Sequence, residues 1–268
     1  MSKIIKNQEE FFNRESHTVK AVLLDDLFYN YVNKEQFSGL DWISDKKVIL
    51  DYGCGTGHTM DIFFSKRKTV GYKMYGVDIA GETIKVISKN YPKFKFYQIK
   101  DNKVPQISDN SIEGVYMMHV LHHAKNHEEI FKEIHKKLKK GGKFLINDLC
   151  SNNPINFAAR SVFTAMPESI KNKFGDDLMV DGCIPEKYKV VVPDVVKALE
   201  NTGFKVTKVS YGHLFFFVFG WIDRFIPFSK VGFIRSFYKT MINWESTLLK
   251  KSVFQGKAEL FCIQAVKK

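Results

Sequence analysis

The run VILDYGCGTGHT, Val48 to Thr59, leaves a chain few folds to choose from. A short apolar run ended by turn residues reads as a strand buried on both faces, the kind found inside parallel sheets. Three alternating glycines follow, Gly53, Gly55 and Gly57, and a helix begins at Thr59. Glycines let a backbone approach a ligand with no Cβ in the way. Strand, glycine turn and helix together make a cradle for a nucleotide-like ligand.

The rest of the chain keeps that rhythm. Strands are expected at Lys47–Tyr52, Met74–Asp78, Lys95–Ile99, Ile112–Met118, Lys143–Asn147, Phe204–Ser210 and Glu259–Val266. Helices are expected from Thr59 to Phe64, over Glu82–Asn90, over Glu128–Leu138 with Gly141-Gly142 as the stop, and over Pro193–Asn201. Such alternation gives an α/β fold, a parallel sheet with helices on both faces. Residues 1–44 read as helical from Val19, Val22, Leu23, Leu27 and Phe28. Leu149–Val192 and Tyr211–Ala258 are too long for simple connections and read as a cap over a substrate. One domain therefore spans 1–268, with its core at about 45–150 plus 193–210 and 258–268 and its cap from 1–44, 151–192 and 211–257.

Three ligand classes compete for the loop. A triphosphate loop needs Lys-Ser/Thr after its last glycine, but His58-Thr59 follows Gly57. A dinucleotide loop needs GxGxxG, and His58 occupies the place of its third glycine. Asp51 argues for another ligand, because an acid two residues before Gly53 repels pyrophosphate and attracts an ammonium. Asp78 ends the second strand 21 residues beyond Gly57, where an acid binds ribose hydroxyls. Ile79 follows it, placed to pack on a base, and Asp101 ends the third strand, placed to accept from an adenine amino group. The loop suits an aminoacyl nucleoside.

These residues resemble the class I S-adenosylmethionine-dependent methyltransferases, through VILDYGCGTG, MYGVDIA, QIKDNKVPQISDNSIEGVYMMHVLHH, LKKGGKFLIND and ELFCIQAVKK. The resemblance implies a Rossmann-like sheet of seven strands in the order 3-2-1-4-5-7-6, the last antiparallel, with helical cap insertions. It implies S-adenosyl-L-methionine as cofactor, with Gly53, Cys54, Gly55 and Gly57 along its methionine portion and Asp78 on its ribose. Asp101 with Asn102 would take the adenine, and Met118 and His119 would flank the cofactor. LCSNNPINF is similar to an acidic-Asn-Pro stretch of many such enzymes, but Asp148-Leu149 stands where Glu-Pro is usual.

Transfer to a hydroxyl benefits from a base, and the dense set of candidates is His119, His122, His123 and His127. His122 is the first choice and His123 the second; the bland alternative is that they cap backbone or shape a pocket. No metal is expected, since no cysteine completes a ligand set nearby. The expected reaction is methylation of a small-molecule, sugar or lipid-linked acceptor, at oxygen. The alternatives are N- or C-methylation of a lipid or quinone-like acceptor, or a catalytically lapsed cofactor-binding subunit.

The net charge is +12, and Phe204–Lys257 carries nine basic residues against Asp223 and Glu245. The same segment holds eleven aromatics between Phe215 and Trp244, such as Phe216, Phe217 and Trp221. Interleaved aromatic and basic residues suit peripheral contact with an anionic membrane or a pocket for an amphiphilic acceptor; the alternative is a packed cap with solvated lysines. Nucleic acid fits poorly, because the bases are tied to apolar bulk. Four scattered cysteines and no signal-like apolar core at the N-terminus point to the cytoplasm. Oligomeric state is left open.

Overall fold

The structure, a computed structural model, describes residues 34–155, 158, 167, 190–215 and 230–268. The expected helix around Val19–Phe28 and the aromatic run from Phe216 to Phe228 lie outside the described residues.

Among the described residues seven strands form one sheet: β1 Val48–Tyr52, β2 Lys73–Asp78, β3 Lys95–Gln98, β4 Ile112–Met118, β5 Leu138–Leu149, β6 Phe204–Gly212 and β7 Leu260–Lys267. Their order is β3-β2-β1-β4-β5-β7-β6. The first five run parallel, and β7 lies antiparallel between β5 and β6. The expected topology holds throughout.

The helices are α1 Lys34–Ile43, α2 His58–Ser65, α3 Gly81–Asn90, α4 His127–Lys137, α5 Val192–Asn201, α6 Gly232–Leu248 and α7 Ser252–Gln255. None of the described helices is long and apolar enough to cross a membrane.

Strand side chains alternate between faces, so each strand feeds two cores. Leu50, Val115, Phe144, Ile146 and Phe261 pack with Phe131 of α4 and Leu199 of α5. Ile49, Tyr116, Leu145 and Cys262 pack on the other side with Ile43 of α1 and Phe63 of α2. This double burial explains the nearly unbroken apolar runs in β1, β4 and β5. Polar residues appear where those runs stop: Asp51, Asp78, Asn147 and Asp148, all buried at the carboxyl ends of their strands.

One boundary differs from the expectation. The helix α4 ends at Lys137, and Leu138 already pairs with Ile112 of β4. The register then shifts, with Gly114 opposite Lys143. Gly141-Gly142 is thus an irregular step inside β5 rather than the stop of a helix. Space requires it: a Cβ on Gly142 would lie 2.8 Å from the Lys139 carbonyl oxygen.

Candidate active site

The loop after β1 is pinned to β2 before it meets any ligand. The Gly53 and Cys54 amides both donate to the Val77 carbonyl, at 2.7 and 3.0 Å. The Gly55 amide donates to Asp78 Oδ2 at 2.9 Å. Gly53 has φ +81°, and a Cβ there would sit 2.2 Å from Cγ2 of Val120. Gly55 is the opposite case, with φ +48° and no atom within 4 Å of a built Cβ. Gly53 is closed in by protein, whereas Gly55 faces open space.

Asp51 is fully buried beneath this loop. Burial pushes its carboxyl up to about 8, with Asp78 adding to the rise and the Tyr116 hydroxyl opposing it. That hydroxyl falls short of hydrogen-bond geometry, so Asp51 Oδ2 and the Tyr116 oxygen are both buried with no hydrogen-bond partner among the described residues. The side-chain nitrogen and oxygen of Asn147 are in the same condition. Asp51 pairs with Tyr116, and Asn147 with Met118, across β1, β4 and β5. With period-2 alternation these polar atoms share one face of the sheet. Leaving such groups unsatisfied costs about 1–3 kcal/mol each, so the recess fits a ligand that brings a cation and polar atoms. Cys54, also buried, has its thiol pushed well above the ordinary value, by burial first and then by Asp51 and Asp78. It is not a nucleophile.

Asp78 Oδ1 accepts from the Ala80 amide at 2.9 Å, so both of its oxygens are held by backbone N–H groups. Ile79 beside it is half-buried, and its carbonyl accepts from the Gln98 side chain at 2.8 Å. The third acid is placed differently from the expectation. β3 ends at Gln98, and Asp101-Asn102 form a tight reverse turn with φ +50° and +57° between the paired Lys100 and Lys103. Asp101 is exposed there, and Asn102 Nδ2 donates to Glu129 Oε2 at 3.2 Å.

Beyond β4, Met118 is buried and His119 takes a left-handed φ of +57°, its amide donating to the Asn147 carbonyl at 2.8 Å. Leu121–His123 form a single 3-10 turn. It brings buried His122 against Asp148 at the end of β5, with Nδ1 2.5 Å from Oδ1. The Leu121 amide donates to Asp148 Oδ2 at 2.6 Å, and the Leu149 amide to Oδ1 at 2.7 Å. Burial raises the Asp148 carboxyl, but the adjoining His122 outweighs it and holds the group at about 2. An ionised Asp148 makes Nδ1 of His122 the donor, so a neutral ring would carry its lone pair on Nε2. The His123 ring lies 4.0 Å from that of His122, centroid to centroid.

His119, His122 and Asp148 each offer a donor atom within 4.8 Å of the others, close enough to bracket a cation. Both oxygens of Asp148 already accept hydrogen bonds, so the set orients His122 better than it forms a coordination shell. His127, the last of the candidate histidines, places Nε2 3.0 Å from the Leu121 carbonyl oxygen.

Sequence reasoning missed the working side of Asp148, noticed only as a departure from a motif, and missed Tyr116 and Asn147 altogether. The available signal was FLIND, an apolar strand that turns polar while still inside the sheet.

The methyltransferase domain family matches residues 33–209. A demethylmenaquinone methyltransferase of Chlorobaculum parvum is 31% identical over 108 residues, 40% of this chain and 43% of that protein. A sterol 4-C-methyltransferase of Caenorhabditis elegans is 30% identical over 118 residues, 41% of this chain and 34% of that protein. The chain thus covers less than half the length of either relative. Among solved structures, a geranyl diphosphate C-methyltransferase from Streptomyces coelicolor aligns with TM-score 0.59 at 13% identity, covering 100% of this chain and 99% of its own. A methyltransferase from Aquifex aeolicus gives 0.56 at 15%, covering 96% and 98%. These two likenesses concern the fold.

Proposed function

The chain belongs to the methyltransferase domain family, and from that premise we propose that it moves a methyl group from S-adenosylmethionine to a small-molecule, sugar or lipid-linked acceptor, at oxygen. The observation that carries the oxygen assignment is the His122–Asp148 couple, a histidine oriented by a buried, ionised carboxylate. The residues present fit the cofactor: the unpartnered Asp51 Oδ2 complements an ammonium, and the open side of Gly55 leaves room for a ligand against the backbone. In this reading Asp51, Gly53, Cys54, Gly55 and Gly57 take the methionine portion, and Asp78 with Ile79 the ribose and base. Asp101 and Asn102 border the adenine from their turn, and Met118 and His119 close the far side. When bound, S-adenosylmethionine supplies a methyl already activated as a sulfonium, so the protein has only to align an acceptor and remove its proton.

Nε2 of His122 takes the acceptor's hydroxyl proton as the oxygen–carbon bond forms and the sulfur–carbon bond breaks, and Asp148 stabilises the imidazolium that results. His123 is the reserve base. The excursions at 151–192 and 211–257, of which 156–157, 159–166, 168–189 and 216–229 lie outside the described residues, are assigned in this reading to the acceptor side of a single domain. Transfer to a carbon of a quinone-like or lipid acceptor is the second reading, favoured by the names of the relatives.

Release of S-adenosylhomocysteine with hydroxyl, amine and quinone-type acceptors distinguishes these readings. His122→Ala should lower turnover of a hydroxyl acceptor by about 10²–10⁴-fold while cofactor affinity holds. Asp148→Asn should lose a similar amount, and the double variant little more, because the two act as one unit. Undiminished turnover in His122→Ala would leave this histidine a packing residue.

A further inference from the structure

The Tyr116 hydroxyl has no use in the fold that surrounds it. Tyr116 is fully buried in β4 between Val115 and Met117, which are also fully buried. Its ring stacks on that of Phe63 in α2, with centroids 6.2 Å apart and planes 23° apart. A phenylalanine would pack there equally well. The hydroxyl oxygen has no hydrogen-bond partner among the described residues, and a buried orphan of this kind is a net cost to stability.

Strand register shows which group lies beside it. Tyr116 pairs with Leu145 on one side and with Asp51 on the other. Asp51 has Gly76, which lacks a side chain, as its second neighbour. Partners in a parallel ladder project to the same face, and adjacent strands run about 4.8 Å apart. Each residue is thus the other's only polar partner in the ladder, and each holds a buried orphan, the Tyr116 oxygen and Asp51 Oδ2. Burial favours the protonated Asp51 carboxyl, whereas an adjacent ammonium favours the ionised one. An ionised carboxylate accepts on both oxygens, so it can hold an ammonium and a phenolic O–H together. With a charged acceptor that O–H bond is also stronger than its neutral counterpart.

We propose that Tyr116 is a positioning residue for the cofactor: its hydroxyl donates to the Asp51 carboxylate when the ligand's ammonium arrives, and holds that carboxylate against the amino-acid end of the ligand. The inference rests on the reading of this site as one for S-adenosylmethionine. It adds a residue that acts through Asp51 and does not itself touch the ligand.

Calorimetry with two ligands tests it: S-adenosylhomocysteine and its deaminated analogue, which lacks only the ammonium. Tyr116→Phe should weaken S-adenosylhomocysteine by about tenfold or more, the loss of one charge-assisted hydrogen bond, and leave the analogue within about twofold. Asp51→Asn should show the same selectivity. Tyr116→Phe added to it should cost little more, because the hydroxyl acts through the carboxylate. Without ligand, Tyr116→Phe should melt no lower than the wild type, since no bond is lost. Equal losses for both ligands would make the tyrosine a packing residue, and no loss for either would leave its hydroxyl idle. Losses that simply add in the double variant would separate it from Asp51. Each of these overturns the proposal. A wild type that binds neither ligand would bring down the cofactor reading, and this inference with it.

Discussion

At the scale of single residues, Asp51 makes the sharpest demand. Its carboxyl has an ordinary value of 3.8, raised to about 8 by burial. Between those values the ligand-free folded protein holds a proton that the unfolded chain releases, so stability falls as pH rises across that window. A bound ammonium reverses the preference and favours the ionised form. Melting temperature without cofactor should therefore drop from pH 4 toward pH 8 more steeply than in Asp51→Asn, and the cofactor-induced rise should grow with pH in the wild type alone. Parallel curves for the two proteins would remove Asp51 from the cofactor site. Asp148 behaves oppositely: held at about 2, it contributes stability above its ordinary 3.8 that is lost as pH falls toward 2. Asp51 and Asp78 could be picked out from the string as acids at the ends of apolar runs, and His122 as a member of a dense histidine cluster. Tyr116 could not, since IEGVYMM reads as seven strand residues and the orphaned hydroxyl is a property of what surrounds it.

At the scale of elements, the loop from β1 to α2 was legible in type and in ligand class. Its tether to β2 was not, because the Gly53, Cys54 and Gly55 amides find their partners more than twenty residues away. Gly53→Ala should fail twice, through a Cβ driven into Val120 and through a positive φ that costs alanine about 1–3 kcal/mol. Adding Val120→Ala should restore part of the melting temperature while cofactor affinity, measured by calorimetry, stays depressed. Full rescue of both would mean that the backbone angle matters little. The end of α4 and the turn at Asp101-Asn102 were misplaced for a shared reason. Paired glycines and an Asp-Asn pair each suit several local geometries, and the choice is made by strand pairing, of Leu138 with Ile112 and of Lys100 with Lys103.

At the scale of the molecule, strand order and orientation followed from the alternation and the family resemblance together. How the excursion after β6 docks did not, because it depends on one buried acid. Glu245 of α6 accepts from the Leu214 and Phe215 amides, some thirty residues upstream, and so holds the helix to the end of β6. His213 and Glu259 reinforce the same corner, Nδ1 to Oε2 at 3.0 Å. Glu245→Ala strands the buried Leu214 amide and the part-buried Phe215 amide and should cost about 1–3 kcal/mol, seen as faster hydrogen exchange across 232–248 with β1–β4 unaffected. Exchange that quickens across the whole sheet would show that helix and sheet open together. The placement of β7 between β5 and β6 also governs how the chain comes into being. β6 is complete at Gly212 and its neighbour begins at Leu260, 48 positions later (260 minus 212). On a ribosome adding 5–20 residues per second, roughly 2–10 s pass in which β6 has no strand to join and the outer edge of β5 stands bare. For that interval the outer edge of β5 and the whole of β6 stand unpaired, the kind of exposed strand that invites association with other chains.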